Sequence, residues 1–162
     1  MYQRVADIEG IPALGPRFGT RGYFHKYVEG KTLFECDDGS WIPDDFFDRL
    51  MEILRELHRR RIFYMDLNKR GNIIRGDDGR PYLIDFQISL HFKKRGGPLG
   101  RLYDKVFESL IREDFYHFVN HKHRFKTHLV TEEENLMGKR SGLNSVYESL
   151  FGRPYRKVKR II

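Results

Sequence analysis

Three oxygen-bearing side chains, Asp66, Asn72 and Asp85, fall close together around a short apolar pattern. Asn72-Ile73-Ile74-Arg75 and Pro81-Tyr82-Leu83-Ile84 read as two strands, and Gly76-Asp77-Asp78-Gly79 between them is a turn signal. A turn centred on Asp78-Gly79 sets Ile73 against Ile84 and Ile74 against Leu83, and one step outward it sets Asn72 against Asp85. Directly opposed residues of an antiparallel pair lie ~5 Å apart. A carboxamide and a carboxylate at that separation are hard oxygen donors. Mg²⁺ takes such donors from protein while phosphates and water complete its shell. Asn72 and Asp85 are therefore the candidate metal ligands. Just upstream, Asp66 opens the loop Asp66-Leu67-Asn68-Lys69-Arg70-Gly71, and Lys69 in that loop can offset negative charge as it develops.

Several elements must hold these residues. Phe46, Phe47, Leu50, Ile53, Leu54 and Leu57 recur on one face of a helix over 44–61. Asp44, Asp45 and Asp48 stand at its start and Arg59, Arg60 and Arg61 at its end, both suited to the helix dipole. A short apolar run, Ile62 to Met65, leads into the loop. Residues 101–128 predict a second helix, with Leu102, Val106, Leu110, Phe115, Phe118 and Val119 as the buried set and His121-Lys122-His123 on a polar face. Residues 1–22, rich in glycine and proline, read as extended pieces joined by turns. Residues 23–28 predict a strand that breaks at Glu29-Gly30-Lys31.

Composition narrows the class. The chain has 162 residues, 40% hydrophobic and 33% charged, which suits one folded domain. A single cysteine, Cys36, excludes an internal disulfide framework. Cys36 lies beside Asp37 and Asp38, which disfavours a reactive thiolate. The histidines show neither a paired helical spacing nor cysteine partners, so zinc is excluded. The opening MYQRVADIEG has no apolar signal region, no membrane-length apolar run follows, and a cytoplasmic location is expected.

The net charge is +7, and residues 139–162 carry six of those charges: Lys139, Arg140, Arg153, Arg156, Lys157, Lys159 and Arg160 face only Glu148. Tyr147, Phe151 and Tyr155 are interleaved among them. Such a tail suits an anionic surface, a membrane in preference to nucleic acid, which would place the protein at the inner membrane face.

With these residues in view, the chain resembles the protein-kinase-like superfamily. The stretch from Leu57 to Phe86 carries the resemblance. Tyr64-Met65-Asp66 stands where the family has His-Arg-Asp, and Asp85-Phe86-Gln87 where it has Asp-Phe-Gly. The interval of thirteen from Asn72 to Asp85 also matches. GRPYLIDFQIS and the tail RPYRKVKR are similar to an atypical bacterial branch of lipopolysaccharide-kinase and RIO-like serine/threonine kinases.

The resemblance implies an α+β fold: a mainly helical kinase-like C-lobe with a short catalytic hairpin over 35–128, an N-lobe remnant and hinge over 1–34, and the basic tail over 129–162. It implies ATP and Mg²⁺ as cofactors, with Asn72 and Asp85 on the metal. Asp66 would be the base toward a hydroxyl acceptor, Lys69 a phosphate contact, and the backbone at Lys26 and Val28 the adenine contact. His58 would be a structural residue beneath the loop, and Asp114 a structural or surface residue of the second helix.

The departures from the family shape the expectation. No Gly-rich loop precedes Tyr23, and no strand lysine is in place, so the chain reads as a phosphotransferase fragment active only when its N-lobe is supplied. Asp66 and Asn72 are one position further apart than is usual in the family. Met65 replaces the arginine that anchors an activation-loop phosphate, Gln87 replaces glycine, and no protein-docking segment follows. The first argues against control by activation-loop phosphorylation, the second implies a fixed Asp85, and the third favours a small-molecule, sugar or lipid-linked sugar acceptor over a serine or threonine in a peptide. The alternatives are a catalytically inactive kinase-fold scaffold and a basic membrane-surface or nucleic-acid-binding protein acting through its tail.

Overall fold

The structure is a computed structural model, and it describes residues 1–19 and 22–138. It is a mixed α+β fold with three small antiparallel sheets. Strands β1 (Leu14–Phe18) and β2 (Gly22–His25) form a hairpin near the N-terminus. Strands β3 (Gly30–Thr32), β5 (Ile73–Gly76) and β6 (Pro81–Leu83) form a second sheet in the order β3-β5-β6. Strands β4 (Ile62–Phe63) and β7 (Leu90–His91) pair as a third. Helices α1 (Phe46–Arg59) and α2 (Gly97–Lys126) pack against these strands and the N-terminal segment, and a short α3 (Glu132–Met137) folds back on α2.

Helix α1 forms as its pattern dictates. Phe46, Phe47, Leu50, Ile53, Leu54 and Leu57 are all buried, against Leu33, Ile73, Leu83, Phe86 and Phe118. Helix α2 buries Leu110, Phe118 and Val119 and half-buries Phe115 as expected, and differs in phase only toward its start. Its inward stripe runs through Phe107, Leu110, Asp114, Phe118, His121 and Phe125, while Leu102 and Val106 are exposed. Leu102 and Val106 each precede a residue of the stripe, Tyr103 and Phe107, and one residue is a 100° turn away from it. His121 and Lys122 are buried rather than on a polar face, His121 against the loop at Leu67 and Lys122 beneath α3. There Lys122 Nζ meets Glu134 at 2.6 Å and Asp48 at 3.5 Å. Thr131 and Glu134 close a capping box that starts α3.

The expected break at Glu29-Gly30-Lys31 is instead the start of β3, with Gly30 opposite Gly76 and Lys31 opposite Arg75. A Cβ at Gly30 would lie 2.2 Å from the Arg75 carbonyl oxygen, so only glycine allows this approach.

The register of the central hairpin also differs from expectation. Ile73 pairs with Leu83 and Ile74 with Tyr82, so Asn72 lies opposite Ile84 and not Asp85. The cause is the turn. Gly76 N–H donates to Arg80 O at 2.9 Å, Gly79 N–H donates to Gly76 O at 2.8 Å, and Gly79 takes φ +81. The loop is therefore Asp77-Asp78-Gly79, one residue longer than the two-residue turn expected, with glycine at the left-handed position such a loop requires.

Candidate functional site

The chain leaves α1 through Arg61, crosses β4 and enters the Asp66 loop. Tyr64, Phe63 and Leu67 are fully buried on either side of Met65 and Asp66. The loop is wound, not extended: Lys69 N–H donates to Asp66 O at 3.2 Å and Asn72 N–H to Lys69 O at 3.0 Å, and Arg70–Asn72 make a 3-10 turn. Lys69 Nζ lies 2.5 Å from Asp66 Oδ2, and the Asn72 amide donates to Asp66 O at 3.3 Å. Asp66, Lys69 and Asn72 thus share one loop and contact one another.

Asp85 reaches the same region from the other strand. Ile84 N–H donates to Asn72 O at 3.0 Å, so Asp85 is the next residue beyond the Asn72 pair. Asp85 is half-buried at φ +61, and Gln87 N–H approaches its Oδ1 at 3.4 Å. Met65, immediately before Asp66, has φ +73. Both carboxylates are therefore aimed by backbone that L-residues rarely adopt.

Two groups from α2 hold the loop from beneath. The buried Asp114 carboxylate accepts the backbone N–H of Tyr64 at 3.1 Å and of Met65 at 3.2 Å, and it meets His58 Nε2 at 2.9 Å. His121 Nε2 meets Leu67 O at 2.6 Å. Burial pulls the His121 pKa below its ordinary value, so at neutral pH the ring is uncharged and donates its one proton to that carbonyl. His58 is structural, as expected. Asp114 is fully buried and is no surface residue. His121, expected on a polar face of the helix, is instead buried beneath the loop. The available signal was position, since both Asp114 and His121 fall on the apolar stripe of α2, where a polar side chain needs a partner.

An aromatic column backs Asp85. Phe86 packs edge-on against Tyr64 at 5.0 Å and Tyr2 at 5.2 Å, and Tyr2 packs against Tyr23 at 5.0 Å. Burial pushes the Tyr2 phenol up to about 12 and raises that of Tyr64, so both stay protonated. Tyr64 Oη donates to the Ile84 carbonyl.

The expected adenine contacts lie between β2 and β3. The Lys26 N–H is bound to Ala13 O at 2.8 Å, and its carbonyl lies 3.1 Å from His25 Nδ1. Val28 is half-buried in the segment between the two strands. Cys36 is buried, and burial, more than the neighbouring acids, raises its thiol pKa.

A cavity of about 660 Å³ opens between residues 7–10, α1 and β6, lined by Glu52, Arg80 and Tyr82 among others. None of Asp66, Lys69, Asn72, Asp85, Lys26 or Val28 lines it. Among the described residues no group of three or more His, Cys, Asp or Glu is placed to hold a metal, so a cation here would rest on the mixed pair Asn72 and Asp85. No helix among the described residues is long and apolar enough to cross a membrane. The basic residues 139–162 lie outside the described residues.

No family model matches the chain, and no curated protein matches it.

Proposed function

We propose that this chain carries the metal- and acceptor-handling part of a kinase-like phosphotransferase site, with Mg·ATP as donor and a hydroxyl as acceptor. The observation that supports this reading best is the backbone at Met65 and Asp85. Left-handed non-glycine residues cost roughly 1–3 kcal/mol each, less for aspartate, and persist only where the surroundings over-determine them. Here the strain aims Asp66 and Asp85 while Phe63, Tyr64 and Phe86 pack the core.

The donor set suits Mg²⁺, which takes one or two protein oxygens and completes its shell with phosphate and water. Asn72 and Asp85 would hold it, and when bound it neutralises charge on the transferring phosphates. The backbone at Lys26 and Val28 would meet the adenine edge. Asp66 takes the acceptor's proton as the acceptor oxygen bonds to the γ-phosphorus and the bond to the ADP oxygen breaks. Lys69 holds the Asp66 carboxylate in place and sets a cation beside the phosphoryl group. The acceptor class is a sugar or lipid-linked sugar hydroxyl, ahead of Ser/Thr. Residues 139–162 fit a peripheral contact with an anionic membrane.

The test is thermal unfolding of the chain titrated with Mg·ATP, alongside Asp85→Asn. A ligand at one hundred times its Kd stabilises the native state by ~2.7 kcal/mol. A magnesium-dependent rise in Tm that Asp85→Asn loses is expected. No rise at millimolar Mg·ATP would overturn nucleotide binding by this chain alone and leave either a fragment that needs its N-lobe or a kinase-fold scaffold without activity.

A further inference from the structure

We infer that the first turns of α2 are a docking surface for an anionic membrane, with Leu99, Leu102 and Val106 entering the bilayer. This surface depends neither on the phosphotransferase site nor on the basic residues 139–162. Leu99 is 64% exposed, Leu102 59% and Val106 43%, although all three lie within the helix. Their spacing of three and four residues sets them within about 60° of one another around the helix axis. Apolar residues scattered singly on a surface are ordinary, whereas three in one stripe mark a contact face. The stripe is held outward by packing. Phe107 and Leu110, from the other side of the same turns, are buried with Phe63 and Phe92, and the helix cannot roll without opening that cluster.

Charge identifies the occupant. Lys93, Lys94 and Arg95 stand just before the helix, Arg101 and Lys105 lie within its first turns, and all five are exposed. Asp104 is the only acid from 93 to 107, and Arg61 holds it at 2.5 Å. The face is therefore cationic around an apolar stripe. A second copy would bring the same charge against it, and residues 139–162 are themselves basic, so like charges set both apart from this face. Single-stranded nucleic acid would need aromatic rings on which to stack its bases, and the stripe is leucine and valine. An anionic bilayer matches both halves of the pattern: aliphatic side chains enter the acyl boundary while lysine and arginine heads stay with the phosphates. A polybasic segment alone is held by charge, and this face adds the apolar insertion that charge does not provide.

The experiment uses the full chain and vesicles of phosphatidylcholine with or without phosphatidylserine. An environment-sensitive fluorophore is attached at Leu102→Cys, and for reference at Arg55→Cys, an exposed position on α1; Cys36 is buried and stays unlabelled. The expected result is a blue shift at position 102 with phosphatidylserine vesicles, none with phosphatidylcholine alone, and none at position 55. In the unlabelled chain, Leu99→Ser combined with Leu102→Ser should weaken sedimentation with phosphatidylserine vesicles by about 10-fold or more. Its Tm should be unchanged, because both side chains are exposed. Vesicle binding with no shift at position 102, or with an equal shift at position 55, would overturn the inference and assign the binding to another part of the chain. So would a shift without vesicles that grows with protein concentration, which marks a second copy, and a shift given by a single-stranded oligonucleotide but not by vesicles. Absence of vesicle binding altogether would overturn it too.

Discussion

The Asp114 carboxylate, from the middle of α2, accepts the backbone N–H of Tyr64 at 3.1 Å. It also takes the next N–H, that of Met65, and meets His58 from α1, so one buried anion ties two helices to the strand that delivers Asp66. A carboxylate with three donors is well paired despite its burial. Asp114→Asn keeps the volume but turns an amide N–H toward at least one of those donors. We expect a loss of roughly 2–4 kcal/mol in urea unfolding, because an unsatisfied buried donor loses its full desolvation term. A loss below about 0.5 kcal/mol would show that the loop does not depend on this anchor.

Asp66→Asn separates chemistry from binding. Removing a positioned base lowers a transfer rate by about 10²–10⁴-fold. The Mg·ATP shift in Tm should persist, since Asp66 is not one of the metal pair. Product formation with a sugar-hydroxyl acceptor, measured beside the thermal shift, checks both halves. Equal turnover in Asp66→Asn would remove Asp66 from the role of base.

The backbone strain makes a prediction of opposite sign. Asp85→Gly relieves φ +61 at a half-buried position, and glycine adopts that conformation freely. Stability should hold or rise by up to about 1 kcal/mol while magnesium-dependent nucleotide binding disappears, a stability–function exchange expected at strained sites. Chemical denaturation paired with the Mg·ATP titration reads both quantities. A clear loss of stability would mean that the Asp85 side chain serves the fold.

The pH dependence follows from His121. Burial lowers its pKa in the folded state, so the unfolded chain binds the proton more readily. Stability from this group is complete above the unfolded pKa, about 6.5, and is lost as pH falls through that value toward the folded one. The native protein should lose more Tm between pH 7.5 and 5.5 than His121→Gln, whose amide can still donate to Leu67 O but does not titrate. Identical pH profiles would assign the acid sensitivity to other groups.

The tail makes a prediction of its own. Near an anionic membrane surface each basic residue contributes about 1 kcal/mol. Co-sedimentation with vesicles containing anionic lipid should fall sharply when residues 139–162 are removed, and in the intact chain it should weaken with added salt. Unchanged binding after the deletion would dismiss the tail as a membrane contact.

Much was legible in the residues. The period of Phe46 to Leu57 determined α1 and its buried face, because an apolar stripe that long has one way to leave water. The Gly-Asp-Asp-Gly turn between two apolar runs determined the central hairpin. The types and spacing of Asp66, Asn72 and Asp85 made them the candidate site. The sequence did not determine the hairpin register, which rests on a one-residue choice between turn geometries that place Gly79 differently. Nor could it show that Gly30 begins a strand, since that depends on how closely Arg75 approaches from across the sheet.

Only the tertiary structure decided that Asp114 and His121 belong beneath the site, 48 and 55 residues along the chain from Asp66. Their burial follows from where α2 crosses the loop, a long-range packing event that local pattern does not encode. The physical reason is general: helical and turn propensities act over a few residues, whereas the partner of a buried charge is whichever group the folded chain brings to it.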